Sequence, residues 1–158
     1  MIHKINTIIN QRPYFSYEEL LESINVFSKY NIHISSIGKS TLGQEIYILK
    51  VGKGPFRIHI NASVHANEWI TTPIIIKFIA EVSENTNLSD IWKHITLDIV
   101  PMVNPDGVNL ACNKKLKDIR EYKRLLKLNE YNTDFKGWKS NINGVDLNRN
   151  FPAGFEMY

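Results

Sequence analysis

Residues 56–79 read FRIHINASVHANEWITTPIIIKFI, and this stretch decides the fold. Phe56–Ile60 alternate between apolar and polar residues, which predicts a β-strand with one buried face. Thr72 and Pro73 are residue types typical of a helix N-cap and of the first helical position. The apolar run 74–79 predicts a helix that packs into the core on most of its sides. A strand followed by a helix indicates one half of a βαβ unit.

The neighbouring segments extend this unit into a sheet. Ile95–Val100 predicts the next strand, so the order strand, helix, strand predicts a crossover and a partly parallel sheet. Upstream, residues 32–60 are short β-branched runs that predict strands joined by tight turns, and Glu45–Val51 is the clearest of the earlier ones. The breaks fall at Gly38, 41–44 and 52–55. The sequence therefore predicts an α/β fold with a mixed β-sheet flanked by helices.

Further local signals lie on both sides of this sheet. Ser16–Glu19 has the spacing of a capping box, and the stripe that follows predicts a helix. The stripe consists of Leu20, Leu21, Ile24 and Phe27, with Asn31 as the turn residue beyond it. Residues 104–107, Asn-Pro-Asp-Gly, predict a turn. Residues 113–127 carry seven basic side chains among leucine and isoleucine, which predicts an amphipathic helix. Its basic face suits either solvent or an anionic polymer.

Composition narrows the class of protein. The 158 residues fit one domain, and 43% hydrophobic with 22% charged residues matches a globular chain. The net charge of +3 is too small to predict a nucleic-acid or membrane partner. Cys112 is the single cysteine, which excludes an internal disulfide and favours a small buried apolar role. Because no signal-peptide pattern or membrane-spanning run is present, we expect a cytoplasmic chain.

Two polar segments stand out as candidate sites. His65 and Glu68 are three residues apart, directly after a predicted strand, and an imidazole with a carboxylate can hold a divalent metal. The alternative is a surface histidine near a capping glutamate. Residues 144–152, GVDLNRNFP, place Asp146, Asn148 and Arg149 close together, and arginine binds a carboxylate through two parallel hydrogen bonds. The alternative there is a loop salt bridge among ordinary turn residues.

Three ordered segments resemble one known family. Residues 61–69, 103–107 and 144–151 are similar, in family order, to successive signatures of the zinc carboxypeptidases. Within that family the chain looks most like the bacterial gamma-D-glutamyl-L-diamino acid endopeptidases, which cut cell-wall peptides. The resemblance runs from about Ser16 to the last residue. It implies the N-terminal half of the zinc carboxypeptidase (phosphorylase/hydrolase-like) fold, whose complete form is a mixed eight-stranded sheet between helices.

The resemblance also implies a role for each matching residue. His65 and Glu68 would be two of three ligands of zinc (Zn²⁺), Asp146 would orient the histidine, Asn148 and Arg149 would grip the terminal carboxylate of a peptide, and Lys139 would contact the oxyanion. Lys139 departs from the pattern, because a lysine lacks the planar fork of the arginine found there in carboxypeptidase A. Manganese and iron also suit a histidine and a carboxylate.

A larger departure concerns the rest of the active site. In the family the third ligand and the glutamate base lie well downstream of the Asn-Arg pair, whereas this chain ends at Tyr158. None of the four remaining histidines is expected to substitute, and His94 should lie at the opposite end of the sheet. We therefore expect one truncated domain over 1–158, with a lead-in over 1–15 and the family-like region over 16–158, inactive by itself. The other histidines are His3, His33, His59 and His94.

Three hypotheses remain open at this point. The whole gene product is a zinc peptidase that acts near a free carboxyl terminus, plausibly on cell-wall peptides, and this chain is a truncated copy of it. Alternatively the chain is a binding module that keeps the carboxylate-gripping pair without hydrolysis, or a remnant without function. No nucleic-acid or membrane partner is expected, and an exposed sheet edge would favour self-association.

Overall fold

The computed structural model describes residues 1–30, 32–114 and 119–154. Within these ranges nine elements are regular helices or strands, and single 3-10 turns lie between some of them. The helices are α1 (Ile2–Asn10), α2 (Tyr17–Phe27), α3 (Thr71–Glu84), α4 (Pro105–Ala111) and α5 (Ile119–Leu128), and the strands are β1 (His33–Lys39), β2 (Glu45–Gly52), β3 (Phe56–Asn61) and β4 (Ile95–Val100). None of the helices in these ranges has the length and apolarity of a membrane span.

The four strands form one mixed sheet in the order β1-β2-β4-β3. β4 pairs antiparallel with β2 and parallel with β3, and α3 makes the crossover between β3 and β4. The predicted α/β class and parallel crossover are confirmed. Parallel pairing also places the carboxyl ends of β3 and β4 at the same edge of the sheet, which is where the loop containing His65 begins.

The turn at 52–55 joins two strands that are not neighbours, because β4 lies between β2 and β3. The turn packs against the segment that enters β4, and Lys53 N–H donates to Trp92 O at 2.8 Å. A Cβ on Gly54 would lie 1.8 Å from the backbone carbon of His94, so only glycine fits there. His94 accordingly lies at the opposite end of the sheet from His65, as predicted.

The main core lies between one face of the sheet and helices α1 to α3. Leu49, Leu97 and Ile99 from the strands are buried against Phe27 of α2 and Ile76 of α3. α1 lies within the predicted lead-in 1–15 and joins the same core through Ile5. A second cluster around Leu125, Phe135 and Ile142 connects α4 and α5 to the loop before residue 144.

Two predictions of burial are wrong. The predicted buried face of β3 is largely exposed, with Phe56 at 71% and Ile58 at 45%. β3 is the edge strand, and within the described ranges Ile60 is the one residue of this face that packs against the main core. α3 buries one face only, and Ile74 on its outer side is 63% exposed, because the described residues place the sheet on one side of this helix and nothing on the other.

Several boundaries also differ from the prediction. α3 begins at Thr71, so Thr72 is not its N-cap, and the Thr72 hydroxyl instead donates to Pro101 O at 2.6 Å. The predicted turn at 104–107 is the start of α4, because the Asn104 side chain caps the helix and Pro105 occupies its first position. Gly38 lies at a bulge inside β1 rather than ending the strand.

The helix predicted over 113–127 is observed only from Ile119, and Asn113 has a positive φ of 57°. Its predicted part at 115–118 lies outside the described residues, as does the turn residue Asn31.

The capping box of α2 is formed and involves a buried carboxylate. Ser16 N–H donates to Glu19 Oε2 at 2.7 Å, the Ser16 hydroxyl bonds the same oxygen, and Arg12 pairs with Oε1. Burial raises the pKa of Glu19, but the bonds from Ser16 and the charge of Arg12 outweigh it, so this pKa lies below its usual value of 4.5. The carboxylate is therefore favoured in the folded state.

Glu19→Gln is expected to lower the free energy of unfolding by about 1–2 kcal/mol at neutral pH. Because the pKa of Glu19 is lower in the folded state than in the unfolded state, its ionisation stabilises the fold. This stabilisation is complete at pH values above the unfolded-state pKa, and it is lost as the pH falls through the folded-state pKa. The difference from wild type should therefore shrink on acidification below about pH 4. Urea unfolding at several pH values measures it, and Glu81→Gln, an exposed residue of α3, is the control. A pH-independent difference would contradict the assignment.

Candidate metal and substrate site

Two loops meet at the carboxyl edge of β3 and β4. The first follows β3 and contains His65 and Glu68, and the second contains Lys139 and Asp146. Ala66 N–H donates to Lys139 O at 3.0 Å, which joins the loops directly. This backbone hydrogen bond lies beside the contact between His65 and Asp146, which are 81 positions apart in the sequence.

His65 lies between two carboxylates. Its Nδ1 is 3.1 Å from Glu68 Oε1, and its Nε2 is 3.1 Å from Asp146 Oδ1. The ring is buried, and the 3-10 turn Ala66–Glu68 that begins after His65 carries Glu68 back to the same side. His65 and Glu68 therefore point toward one common position, as a shared metal requires.

Asp146 is held by several donors. Lys139 Nζ is 3.1 Å from its Oδ2, and Asn148 N–H donates to its Oδ1 at 3.0 Å. Burial raises the pKa of Asp146, but the hydrogen bonds from Lys139, Asn148 and His65 outweigh it and hold this pKa below its usual value. An ionised Asp146 only accepts hydrogen bonds, so the proton between it and His65 belongs to Nε2.

The second ring nitrogen of His65, Nδ1, faces the Glu68 carboxylate. In a neutral imidazole with its proton on Nε2, Nδ1 presents a lone pair. That lone pair faces the Glu68 carboxylate oxygen at 3.1 Å, so two acceptors oppose each other unless a proton or a cation lies between them. Two donors bound tetrahedrally to zinc at its usual bond lengths are separated by about 3.3 Å. The His65 and Glu68 donors fit zinc by type and by spacing.

The donor set in the described part of the chain is incomplete. Across residues 1–30, 32–114 and 119–154, no group of three or more histidine, cysteine, aspartate or glutamate side chains is arranged to hold a metal. His65 and Glu68 are thus a pair of donors, and Asp146 contacts the histidine nitrogen that points away from Glu68.

Lys139 lies beside Asp146 rather than projecting away from it. Its ammonium group is paired with Asp146 Oδ2, and its backbone carbonyl accepts the hydrogen bond that joins the two loops. Lys139 is therefore engaged in positioning Asp146 in this structure, and its expected contact with an oxyanion stays a prediction.

Asn148 and Arg149 are exposed and belong to the 3-10 turn Leu147–Arg149, which follows Asp146. Asp146 is the N-cap of this turn, and its side chain accepts a hydrogen bond from Asn148 N–H. Within the described ranges the Arg149 guanidinium makes no ion pair, in contrast to Arg12, Arg57 and Arg124. Arg149 is exposed, and its backbone N–H donates to Asp146 O at 3.1 Å, so the turn is joined to the residue that contacts His65.

Asn104 was missed as a residue that builds the site. Its amide donates to Val64 O at 3.3 Å and to Ser140 O at 3.1 Å, so one side chain ties the two loops together. A Cβ on Gly107 would lie 2.7 Å from Ser140 O, so glycine permits the close approach. The Asn-Pro-Asp-Gly motif could have indicated this, but it resembles an ordinary turn in sequence.

Ser63 was also missed, and no sequence signal marks it. It has a positive φ of 49°, an uncommon conformation for a serine, two residues before His65. Its backbone N–H donates to Thr71 Oγ1 at 2.9 Å, and its hydroxyl is 2.7 Å from that of Thr72. These bonds to the start of α3 hold the bend that directs the chain toward His65.

The fold and the cluster define an α/β protein with a histidine and a carboxylate converging at the carboxyl edge of its sheet. Comparison with protein families identifies the lineage, because the M14 peptidase model, described as zinc carboxypeptidase, matches residues 17–158. The chain belongs to the zinc carboxypeptidase family. By family, therefore, it is related to metallopeptidases that hydrolyse peptides.

Individual relatives agree with this assignment. The chain is 45% identical over 130 residues to gamma-D-glutamyl-L-diamino acid endopeptidase 1 of Lysinibacillus sphaericus, covering 77% of this chain and 33% of that protein. It is 28% identical to carboxypeptidase B2 of Bos taurus, covering 94% and 36%. Bovine thrombin-activatable fibrinolysis inhibitor, solved with tick carboxypeptidase inhibitor, superposes with a TM-score of 0.62 at 25% identity, covering 81% and 37%. The chain spans about a third of the length of these relatives.

Proposed function

We propose that His65 and Glu68 are two of the zinc ligands of a peptidase that cleaves peptide bonds near a free C-terminal carboxylate. The observation that supports this most strongly is the position of Nδ1, which faces the Glu68 carboxylate while Asp146 occupies Nε2. A cation between Nδ1 and Glu68 removes the repulsion between two acceptors. Zinc suits this pair, although the donors alone do not distinguish it from manganese or iron.

Each of the other residues has a defined task in this proposal. Asp146 fixes the tautomer and orientation of His65, and Lys139 in turn holds Asp146. Arg149 binds the carboxylate of the peptide through two parallel hydrogen bonds, and Asn148 adds a further donor. A bound zinc ion supplies Lewis-acid polarisation of the scissile carbonyl. The Lys139 ammonium has three donors, so pairing with Asp146 leaves donors that would contact an oxyanion.

The substrate class follows from the endopeptidase relative. We infer cell-wall peptides that contain a gamma-D-glutamyl-diaminopimelate bond, because the printed name of the relative from Lysinibacillus sphaericus describes a gamma-D-glutamyl-L-diamino acid endopeptidase. Three further claims stay predictions from the sequence. They are the cytoplasmic location, the single domain with a lead-in over 1–15 and a family-like region over 16–158, and self-association through the sheet edge.

Peptide binding tests the role of Arg149. Arg149→Ala is expected to weaken binding of a peptide with a free terminal carboxylate by about 10- to 100-fold, because a charged hydrogen-bonded pair contributes about 1.5–3 kcal/mol. Calorimetry with the free acid and with the C-terminally amidated peptide measures it. Lys136→Ala, which removes an exposed lysine from the loop before Lys139, is the control. Equal affinities of wild type and Arg149→Ala for the free acid would contradict the proposal.

A second candidate function is binding of carboxylate peptides without hydrolysis. Two observations in the described ranges favour it. Arg149 makes no ion pair, and the candidate metal site has only two donors, His65 and Glu68. We propose that the 158-residue chain alone does not hydrolyse peptides, since a two-donor site holds zinc weakly. Mass spectrometry of peptide incubated with zinc and the purified chain tests this second function, which requires the peptide to stay intact. Turnover that is abolished by Glu68→Gln would establish hydrolysis and exclude the binding-only function.

A further inference from the structure

A cavity lies at the end of the sheet opposite His65. It has a volume of about 670 Å³, within the range of about 300–1,000 Å³ that small-molecule sites occupy. The start of β1, the end of β2, the 52–55 turn, the end of α3 and the start of β4 all contribute to its walls. Since β4 runs from this cavity toward the His65 loop, the two sites are separate.

The charged groups that line the cavity are all basic. Lys50, Lys53, Lys93 and His33 are among the lining residues, and no aspartate or glutamate is. Lys93 pairs with the exposed Asp90 at 2.7 Å. Within the described ranges Lys50 and Lys53 have no ion-pair partner. Lysines around one concave surface repel each other and raise the local positive potential, which a bound anion relieves.

The remaining walls provide a rigid frame and an aromatic surface. The turn that carries Lys53 is fixed by the hydrogen bond from Lys53 N–H to Trp92 O, and a Cβ on Gly52 would lie 2.2 Å from Ile95 O. Trp92 is a lining residue and is partly buried against the core. An indole face can stack on a planar ring of a ligand.

We propose that this cavity binds a phosphate-bearing small molecule, with the lysines on the phosphate and Trp92 on a planar group. Lysine is a common phosphate ligand because it acts as a compact charge with several donors. The phosphate could come from free inorganic phosphate or from a nucleotide, and only the nucleotide uses Trp92. The proposal is independent of the peptidase function, because none of the residues proposed for zinc or peptide binding lines the cavity.

Titration of the purified chain with inorganic phosphate and, separately, with ADP tests the proposal. Backbone amide NMR shifts and tryptophan fluorescence are the readouts. Both ligands are expected to shift the amides of residues 50–53 and 92–93 saturably, with ADP the tighter ligand and the one that quenches fluorescence. The double variant Lys50→Ala/Lys53→Ala should lose at least about 10-fold in affinity. Trp92→Phe should remove the quenching by ADP.

Lys77→Ala, which removes an exposed lysine of α3 outside the cavity, is the matched control and should bind as wild type. Far-UV circular dichroism shows whether each variant is folded. If the folded double variant binds ADP as tightly as wild type, or if neither ligand shifts these amides at concentrations on the order of 10 mM, the proposal is overturned. Phosphate binding without tighter ADP binding would retain the lysine site and overturn the role of Trp92.

Discussion

Replacing His65 with alanine is expected to lower the zinc affinity of the chain by more than about 100-fold. Loss of a group that merely orients a ligand costs 10- to 100-fold, and loss of the ligand itself costs more. The imidazole is buried with Nδ1 toward Glu68, so no solvent-exposed side chain can readily take its place. Competition with a chromogenic zinc chelator measures the affinity in wild type and variant.

His94→Ala is the matched control, because His94 is exposed and lies at the opposite end of the sheet. It should leave the affinity unchanged. Asp146→Asn should fall between the two, since it disturbs the orientation of His65 without removing the ligand. Equal zinc affinities for wild type and His65→Ala would show that the metal binds elsewhere.

Ile99→Ala is expected to lower the free energy of unfolding by about 3–4 kcal/mol. Ile99 is 0% exposed on the central strand β4, where its register partners are Leu49 of β2 and Ile60 of β3. Removing its side chain leaves a cavity between the sheet and the helices, and neighbours on both sides are held by the strand ladder. Chemical denaturation followed by circular dichroism measures the change.

Ile58→Ala is the control for residue type. Ile58 belongs to the edge strand β3 and is 45% exposed, so its truncation should cost less than about 1 kcal/mol. A cost for Ile58→Ala equal to that for Ile99→Ala would mean that β3 is covered in solution, and would place β4 in a different environment from the one described.

The part of the fold that depends on local pattern could be predicted from the sequence. The Ser16–Glu19 spacing specifies a capping box, and the β3-α3-β4 order specifies a parallel crossover. Strand neighbours could not be predicted, because the turn after β2 looks like a hairpin turn and only tertiary packing inserts β4 there. α1 was not predicted, although Ile2, Ile5 and Ile9 have helical spacing, because no capping side chain or acidic residue marks its start.

The sequence indicated which candidate residues would lie close together, but not all of their contacts. Sequence motifs located His65, Glu68 and Asp146, and the structure places them in one chain of hydrogen bonds. The pairing of Lys139 with Asp146 and the bridging by Asn104 depend on how two loops meet in space. No sequence spacing encodes a contact between loops that are joined through a sheet.

The most direct test is diffraction from zinc-soaked crystals at the zinc absorption edge. We expect one anomalous peak about 2.1 Å from His65 Nδ1 and at a similar distance from a Glu68 carboxylate oxygen, with Asp146 still on Nε2. A peak at another group of residues, or zinc bound through Nε2 with Glu68 turned away, would contradict it.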